Sequence, residues 1–323
     1  METMRGSSNW RLVIRRESAG VTILHAVTCD ETASLPGELF GLPVIALSPR
    51  ALAVGRAAPA GEEVLITCGP AEGEWTNANL RELTLPPSLK RVGDYAFLNC
   101  AHLRTLRLHD NIAFWGGSAF MNCRLLDTFE LTRESETQGE TLAYIADELS
   151  REVTVTLRTP RGEARVVFPE YIELFEENVP NHHFDYNIYG AGYPYHRCFQ
   201  EKKFHLGNYD LLWTKFLQVE HSEVAAARMA WGRLRWPLDL TDQCAAEYRK
   251  YLAEHAETAL ELLLRDRDEA GVAFLLREIQ PGKEALSAAC ALARELGSAG
   301  ALAALLEEQH RRFPAGRAKT FDL

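Results

Sequence analysis

The stretch LRELTLPPSLKRVGDYAFLNCAH, residues 80–102, runs directly into LRTLRLHDNIAFWGGSAFMNCRL, residues 103–125. Set one above the other, they share Leu80/Leu103, Leu83/Leu106, Leu85/Leu108, Gly93/Gly116, Ala96/Ala119, Phe97/Phe120, Asn99/Asn122 and Cys100/Cys123. These identities at one fixed offset of 23 residues mark a repeat. A further turn opens with Leu126, Phe129 and Leu131 at the same spacing. The Leu-x-Leu pairs predict short strands whose side chains alternate between an inner and an outer face. Strands stacked about 4.8 Å apart set like residue on like, building spines that no single repeat can bury alone. Gly93 and Gly116 fall where the chain bends and a Cβ would clash. Cys100 and Cys123 are expected to stack as small buried groups. Neighbouring rungs also admit a disulfide by distance, which a reducing compartment disfavours.

The pattern L-x-x-L-x-L-P-x-x-L-x-x-[IV]-G-x-x-A-F-x-x-C resembles the BspA-type leucine-rich repeats of bacteria, and Leu83 to Cys100 follows it closely. The second rung departs from it, with His109 in place of the Pro and Ala113-Phe114-Trp115 before the Gly. Upstream, Leu35-Pro36-Gly37 through Leu47 resembles the opening segment of such arrays, and Ala51-Leu52 stand 45 residues before Ala96-Phe97. The resemblance spans about residues 9–131 and implies a curved array that serves as a protein-binding scaffold. An array this short needs covered ends. Residues 10–28 read as an N-terminal β-hairpin, and VTVTLRTPRGEARVVF, residues 153–168, as a closing one with its turn at Pro160-Arg161-Gly162-Glu163. Residues 141–149 suit one or two helical turns.

The rest of the chain divides in two. Residues 169–208 carry Pro169, Pro180 and Pro194 with nine Phe and Tyr between Tyr171 and Phe204, too aromatic for a flexible linker. They are expected to form an ordered strap pinned across an interface. From Tyr209 the apolar period is helical: Ser222–Trp236, a helix capped by Asp239 or Thr241 running to Glu254, then Glu257–Arg267 with Glu269–Ile279, and Glu284–Leu296 with Ala299–Arg312. Phe274-Leu275-Leu276 and Ala304-Leu305-Leu306 recur at an offset of 30, which resembles ankyrin-type or other paired-helix repeats without the T-P-L-H signature. The expected fold is therefore α+β. Residues 1–168 form a leucine-rich-repeat domain, 169–208 the strap and 209–323 a helical-repeat domain.

Composition narrows the function. The chain has 323 residues, 46% hydrophobic and 25% charged, the balance of a soluble globular protein. A net charge of −10 argues against a nucleic-acid partner, whose phosphates require a basic face. The N-terminal residues contain no apolar run of signal-peptide type, and no stretch of about 18 apolar residues exists to span a membrane. Seven Cys without a CxxC pair read as reduced thiols in the cytoplasm. The excess of Arg over Lys, 28 to 7, points to a GC-rich genome.

No catalytic motif of the GxSxG, HExxH, phosphate-loop or EF-hand kind is present, and Gly190-Ala191-Gly192 lacks the Lys-Ser/Thr that a phosphate loop requires. The expected site is the outer face of the repeat strands. By alternation Glu82, Thr84, Thr105, Arg107, Thr128 and Glu130 point outward there, a row suited to an as yet unidentified protein partner, with no cofactor. The alternative is a metal site or metal-dependent enzyme built from His182, His183, Asp185, His196, Cys198 and His205 of the strap, which supply zinc-type ligands within 24 residues. Arg228, Arg233 and Arg235 with Trp231 and Trp236 form a third cluster, read as anchoring the strap or as a binding hot spot. Arg311, Arg312, Arg317 and Lys319 read as a solvated basic end.

Overall fold

The structure is a computed structural model that describes residues 2–71, 73–135, 137–178 and 183–314, with backbone alone at 178 and 183. The chain divides into two compact units between Leu212 and Trp213.

In the first unit the repeat builds two sheets. One holds six strands in the order Gly162–Phe168, Val153–Thr159, Thr128–Thr132, Thr105–His109, Glu82–Thr84, Thr32–Ser34. All its neighbours are parallel except the closing hairpin 153–168, which forms as read but turns on Pro160-Arg161 alone, since Gly162 and Glu163 already pair with Thr159 and Arg158. Leu83, Leu106, Phe129 and Val155 stack in register on the inner face, as do Leu108, Leu131 and Leu157, and all of them are buried. At about 1.5–3 kcal/mol for each fully buried large apolar side chain, these spines are the main support of the array.

The other sheet runs Glu2–Arg5, Glu62–Thr67, Trp10–Glu17, Gly20–Thr28, Leu42–Leu47, Arg91–Val92, Phe114–Trp115, with Glu38–Leu39 paired beside Leu42–Leu47. The N-terminal hairpin forms as read. It does not close the array alone, however, because Glu62–Thr67 and Glu2–Arg5 extend the sheet beyond it. A third side of each rung is held by backbone bonds without strands. Leu52 N donates to Ala96 O at 2.8 Å, and Phe97 N to Ala119 O at 2.9 Å. Leu52 thus occupies the place of Phe97, as the 45-residue offset predicts.

The repeat also recurs in backbone conformation. Tyr95 and Ser118, and likewise Asn99 and Asn122, are left-handed, with φ between 53° and 63°. Asn tolerates that region better than most residues, and Asn122 Nδ2 donates to Asn99 Oδ1 at 2.8 Å. Phe97 and Phe120 stack with centroids 5.6 Å apart. Cys100 and Cys123 are free buried thiols, each directed at the carbonyl of an adjoining rung, Leu52 O at 3.4 Å and Phe97 O at 3.0 Å.

Helix Thr141–Glu148 ends the third side. Ala119 N donates to Tyr144 Oη at 3.2 Å and Phe120 N to Glu148 Oε1 at 2.8 Å, while the Tyr144 hydroxyl itself bonds Gly116 O and Glu148. The strap region folds onto this unit as the hairpin Ile172–Asn178 with His183–Tyr189, the short helix Tyr193–His196, the pair Phe199–Gln200 with Lys203–Phe204, and helix Leu206–Leu211.

The second unit contains helices Trp213–Phe216, Glu223–Arg235, Asp242–Glu254, Ala256–Arg265, Glu269–Glu278, Lys283–Glu295 and Ala299–Arg312. Ser222, Thr241 and Asp268 cap three of them through their side-chain oxygens. Alternate helices pack on one another: Glu223–Arg235 on Ala256–Arg265, that helix on Lys283–Glu295, and Glu269–Glu278 on Ala299–Arg312. A first-turn carboxylate recurs at such contacts. Glu269 accepts from Ser298 Oγ at 2.7 Å and Gly300 N at 3.2 Å, and Glu223 lies 3.8 Å from His255 at the start of Ala256–Arg265.

The two adjacent glycines at the rung bend have different roles. A Cβ on Gly116 would collide with the backbone of Asp94 on the rung below, whereas a Cβ on Gly117 would meet nothing within 4 Å. Gly116→Ala is therefore expected to destabilise the fold by about 2–4 kcal/mol, and Gly117→Ala to stay within about 0.5 kcal/mol. Denaturant unfolding of both variants, followed by circular dichroism, measures the contrast.

Candidate functional site

The six residues expected on the outer sheet face lie side by side there, each half-exposed. Strand register sets Thr32, Glu82, Thr105, Thr128 and Thr154 in one row, and Ser34, Thr84, Arg107, Glu130 and Thr156 in the next. A chain of ion pairs crosses the strands. Arg107 donates to Glu82 at 2.8 Å and Glu130 at 2.9 Å, and Arg158 to Glu130 at 2.6 Å and Glu163 at 3.0 Å. Period-two alternation made the outward residues legible in the sequence. The extension to Arg158 and Glu163 was not, because it depends on which strand follows Thr128–Thr132.

Partial burial pushes the Glu130 carboxyl up, but hydrogen bonds from Arg158 and Arg107 outweigh this and hold it below the usual carboxylate range. These side chains are a quarter to nearly half exposed, so each bridge contributes only about 0–1 kcal/mol. The ladder orders the face more than it stabilises the fold. Nothing in it is a nucleophile, a poised base or a set of convergent metal ligands.

The strap residues behave differently from a metal centre. His196 is buried, with Nδ1 2.8 Å from Ala146 O and Nε2 2.9 Å from Pro169 O. Gly192 permits this, since a Cβ there would collide with the Pro169 carbonyl. Both ring nitrogens thus face backbone carbonyls at hydrogen-bond distance, so neither is open to a metal. Burial pushes the Cys198 thiol up to about 12, and His205 precedes helix Leu206–Leu211 as its N-cap residue. His182 lies outside the described residues, as does the side chain of His183. Among the described residues no three His, Cys, Asp or Glu side chains are gathered to hold a metal ion.

A further expectation changes. The strap is not uniformly pinned, because its hairpin exposes Ile172, Leu174, Phe175, Phe184, Tyr186, Ile188 and Tyr189. Alternation in Phe184-Asp185-Tyr186-Asn187-Ile188-Tyr189 was the available signal for a strand there. The tryptophans form contacts inside the helical unit itself. Trp231 packs edge-on to Trp236 and Phe274 within the helical unit. Arg233 is fully buried and donates to the carbonyls of Trp236 and Leu238, closing the end of its own helix. Arg317 and Lys319 lie outside the described residues. A cleft of about 600 Å³ that sequence reasoning missed opens between Phe114–Trp115, helix Thr141–Glu148 and the Arg197–Lys202 segment. The cations on its wall, Arg197 and Lys202, are paired with Asp147 and Glu140.

Residues 72–151 match the family model of the BspA type leucine rich repeat region (6 copies). That segment is a BspA-type leucine-rich repeat. Among solved structures the chain is similar to the leucine rich repeat protein of T. pallidum (TpLRR), with 15% identity, 37% of this chain and 68% of that chain covered, and a TM-score of 0.22. No curated protein matches the chain significantly. No helix among the described residues is long and apolar enough to cross a membrane.

Two buried histidines set an acid limit on stability. Burial holds His196 below the usual imidazole range, more strongly than its carbonyl contacts raise it; burial and, secondarily, Arg56 hold His25 down as well. A histidine kept neutral in the fold binds its proton more readily once unfolded. Its contribution is therefore complete above the ordinary value of about 6.5 and is lost as pH falls below it. Chemical denaturation at about neutral and at mildly acid pH is expected to show stability falling with pH, and His25→Gln to flatten that slope, because every influence on His25 opposes its protonation.

Proposed function

We propose that this protein is a non-enzymatic scaffold that binds another protein through the outer face of its repeat sheet, with Glu82, Thr84, Thr105, Arg107, Thr128 and Glu130 as contact residues. The observation that carries this reading is the ion-pair ladder. It holds long side chains in fixed positions on a rigid sheet, so that less ordering entropy is lost when a partner docks. The repeat family of residues 72–151 supports protein recognition as the task. The acidic net charge supports a partner other than nucleic acid. In this reading the protein works in the cytoplasm with its thiols reduced and needs no cofactor, and the second unit is a paired-helix repeat with an offset of about 30 residues.

Affinity capture from host lysate after mild crosslinking, with wild type beside Glu82→Ala/Arg107→Ala/Glu130→Ala, tests the proposal. A protein recovered by wild type and lost by the variant is expected, with little change in thermal midpoint because the pairs are exposed. Equal recovery by both chains would remove the sheet face from the interaction.

A further inference from the structure

We propose that the cleft beside Phe114–Trp115 takes an extended, uncharged peptide segment of a partner protein, which joins the sheet as the strand that the following rung does not supply. Within the array each rung offers carbonyls to the next. Lys90 O accepts from Ala113 N at 2.9 Å and Phe114 N at 3.2 Å, and Val92 O from Gly116 N at 2.8 Å. Thr137 and Gly139 stand 23 residues after Phe114 and Gly116, yet their amides turn elsewhere. Thr137 N donates to Ser135 Oγ at 3.3 Å and Gly139 N to Asp110 Oδ2 at 3.0 Å. The diversion is built in, since a Cβ on Gly139 would collide with Asp110. Phe114–Trp115 is accordingly the last strand of its sheet. Among the described residues nothing donates to the carbonyls of Ala113 and Trp115. Because Phe114 N and Gly116 N point back to the preceding rung, the alternate Trp115 N–H faces the open side with those carbonyls. An unclaimed strand edge of this kind is a template for strand addition.

The cleft into which this edge opens, about 600 Å³, selects the occupant. The cations on its wall are balanced, Arg197 by Asp147 and Lys202 by Glu140, so a charge carried in by the peptide finds no free counterion. Phe114 is 46% exposed. Arg91 covers its ring from the preceding rung at 4.8 Å, and Phe199 lines the same cleft. The peptide side chain set beside Phe114 is therefore apolar. Tyr144 stacks on Trp115 with centroids 4.7 Å apart, which leaves room only for a small residue at the next position. A second copy of this chain is a poor occupant, because its own Phe114–Trp115 edge lies recessed in the same cleft.

The test titrates the isotope-labelled full chain with an acetylated, amidated peptide Thr-Val-Ala-Val-Thr and follows the backbone amide of Trp115 by NMR. Parallel pairing like that between rungs assigns its second and fourth amides to the carbonyls of Ala113 and Trp115 and turns its third away. The peptide is expected to shift the Trp115 amide. N-methylation at the second or fourth residue should weaken binding about tenfold or more, and N-methylation at the third should leave it nearly unchanged. Ala143→Trp, which fills the cleft from its helical wall, should abolish binding. The methylated peptides need no variant, so they decide the matter if that chain fails to fold. Glu82→Ala/Arg107→Ala/Glu130→Ala should leave the affinity unchanged, which separates this site from the sheet face. No shift at Trp115 with millimolar peptide, equal weakening by all three methylated peptides, or binding that survives Ala143→Trp would overturn the proposal. So would a dimer of the free chain in which the Trp115 amide is already paired.

Discussion

A backbone amide on the outermost rung of a stack has no following rung to accept its hydrogen bond, and burying it unpaired costs about 1–3 kcal/mol. Much of the first unit outside the repeat answers that constraint. On the third side, Tyr144 and Glu148 take the amides of Ala119 and Phe120. At one edge of the six-stranded sheet, the Tyr209 hydroxyl accepts from Val167 N at 3.0 Å and donates to Val167 O at 2.7 Å. At the opposite edge, Ser34 N donates to Ser8 Oγ, and Trp10 Nε1 donates to Ser34 O. Three borders are closed by side chains from segments that lack the repeat. An open strand edge also invites pairing with other chains, so the same contacts protect against aggregation. The region 141–212 is thus part of the repeat domain's stability, and its position follows from what the last rung lacks.

Inside the stack, each rung supplies what its neighbour needs. Cys100 and Cys123 fill a small apolar position while each directs a thiol at a carbonyl of the next rung. Burial pushes the Cys100 thiol well up and Cys123 up to about 12. Both therefore stay protonated and keep the proton they donate, and neither has the thiolate that exchange or oxidation requires. Valine would match the volume and lose the donor. The left-handed Asn99 and Asn122 show the same economy, since one residue type both tolerates the turn and links to its equivalent a rung away.

These observations explain what could be read from the sequence. The repeat was legible because stacking demands identity at fixed spacing, so Leu83/Leu106 and Phe97/Phe120 carry the signal directly. The helices were legible for a local reason as well, since their apolar period is helical and Thr241 announces one start; the caps at Ser222 and Asp268 emerged from the structure. The capping contacts were not. Tyr144, Tyr209 and Trp10 each complete a hydrogen bond to a residue at least 24 positions away, and no periodicity encodes that. The candidate face was half legible. Alternation gave the outward direction of Arg107 and Glu130, but only the register against Val153–Thr159 brings Arg158 into the same ladder. The aromatics of the strap misled because composition counts them without giving their direction. Tyr195 and Phe204 are buried, while Phe175 and Phe184 face solvent.

Along Glu82, Arg107, Glu130, Arg158 and Glu163 every charge has an opposite neighbour, so the face projects little net field and stands in water without a partner. Separating such pairs without replacing them carries a penalty, so a surface of this kind favours specificity over speed of encounter in any contact it makes.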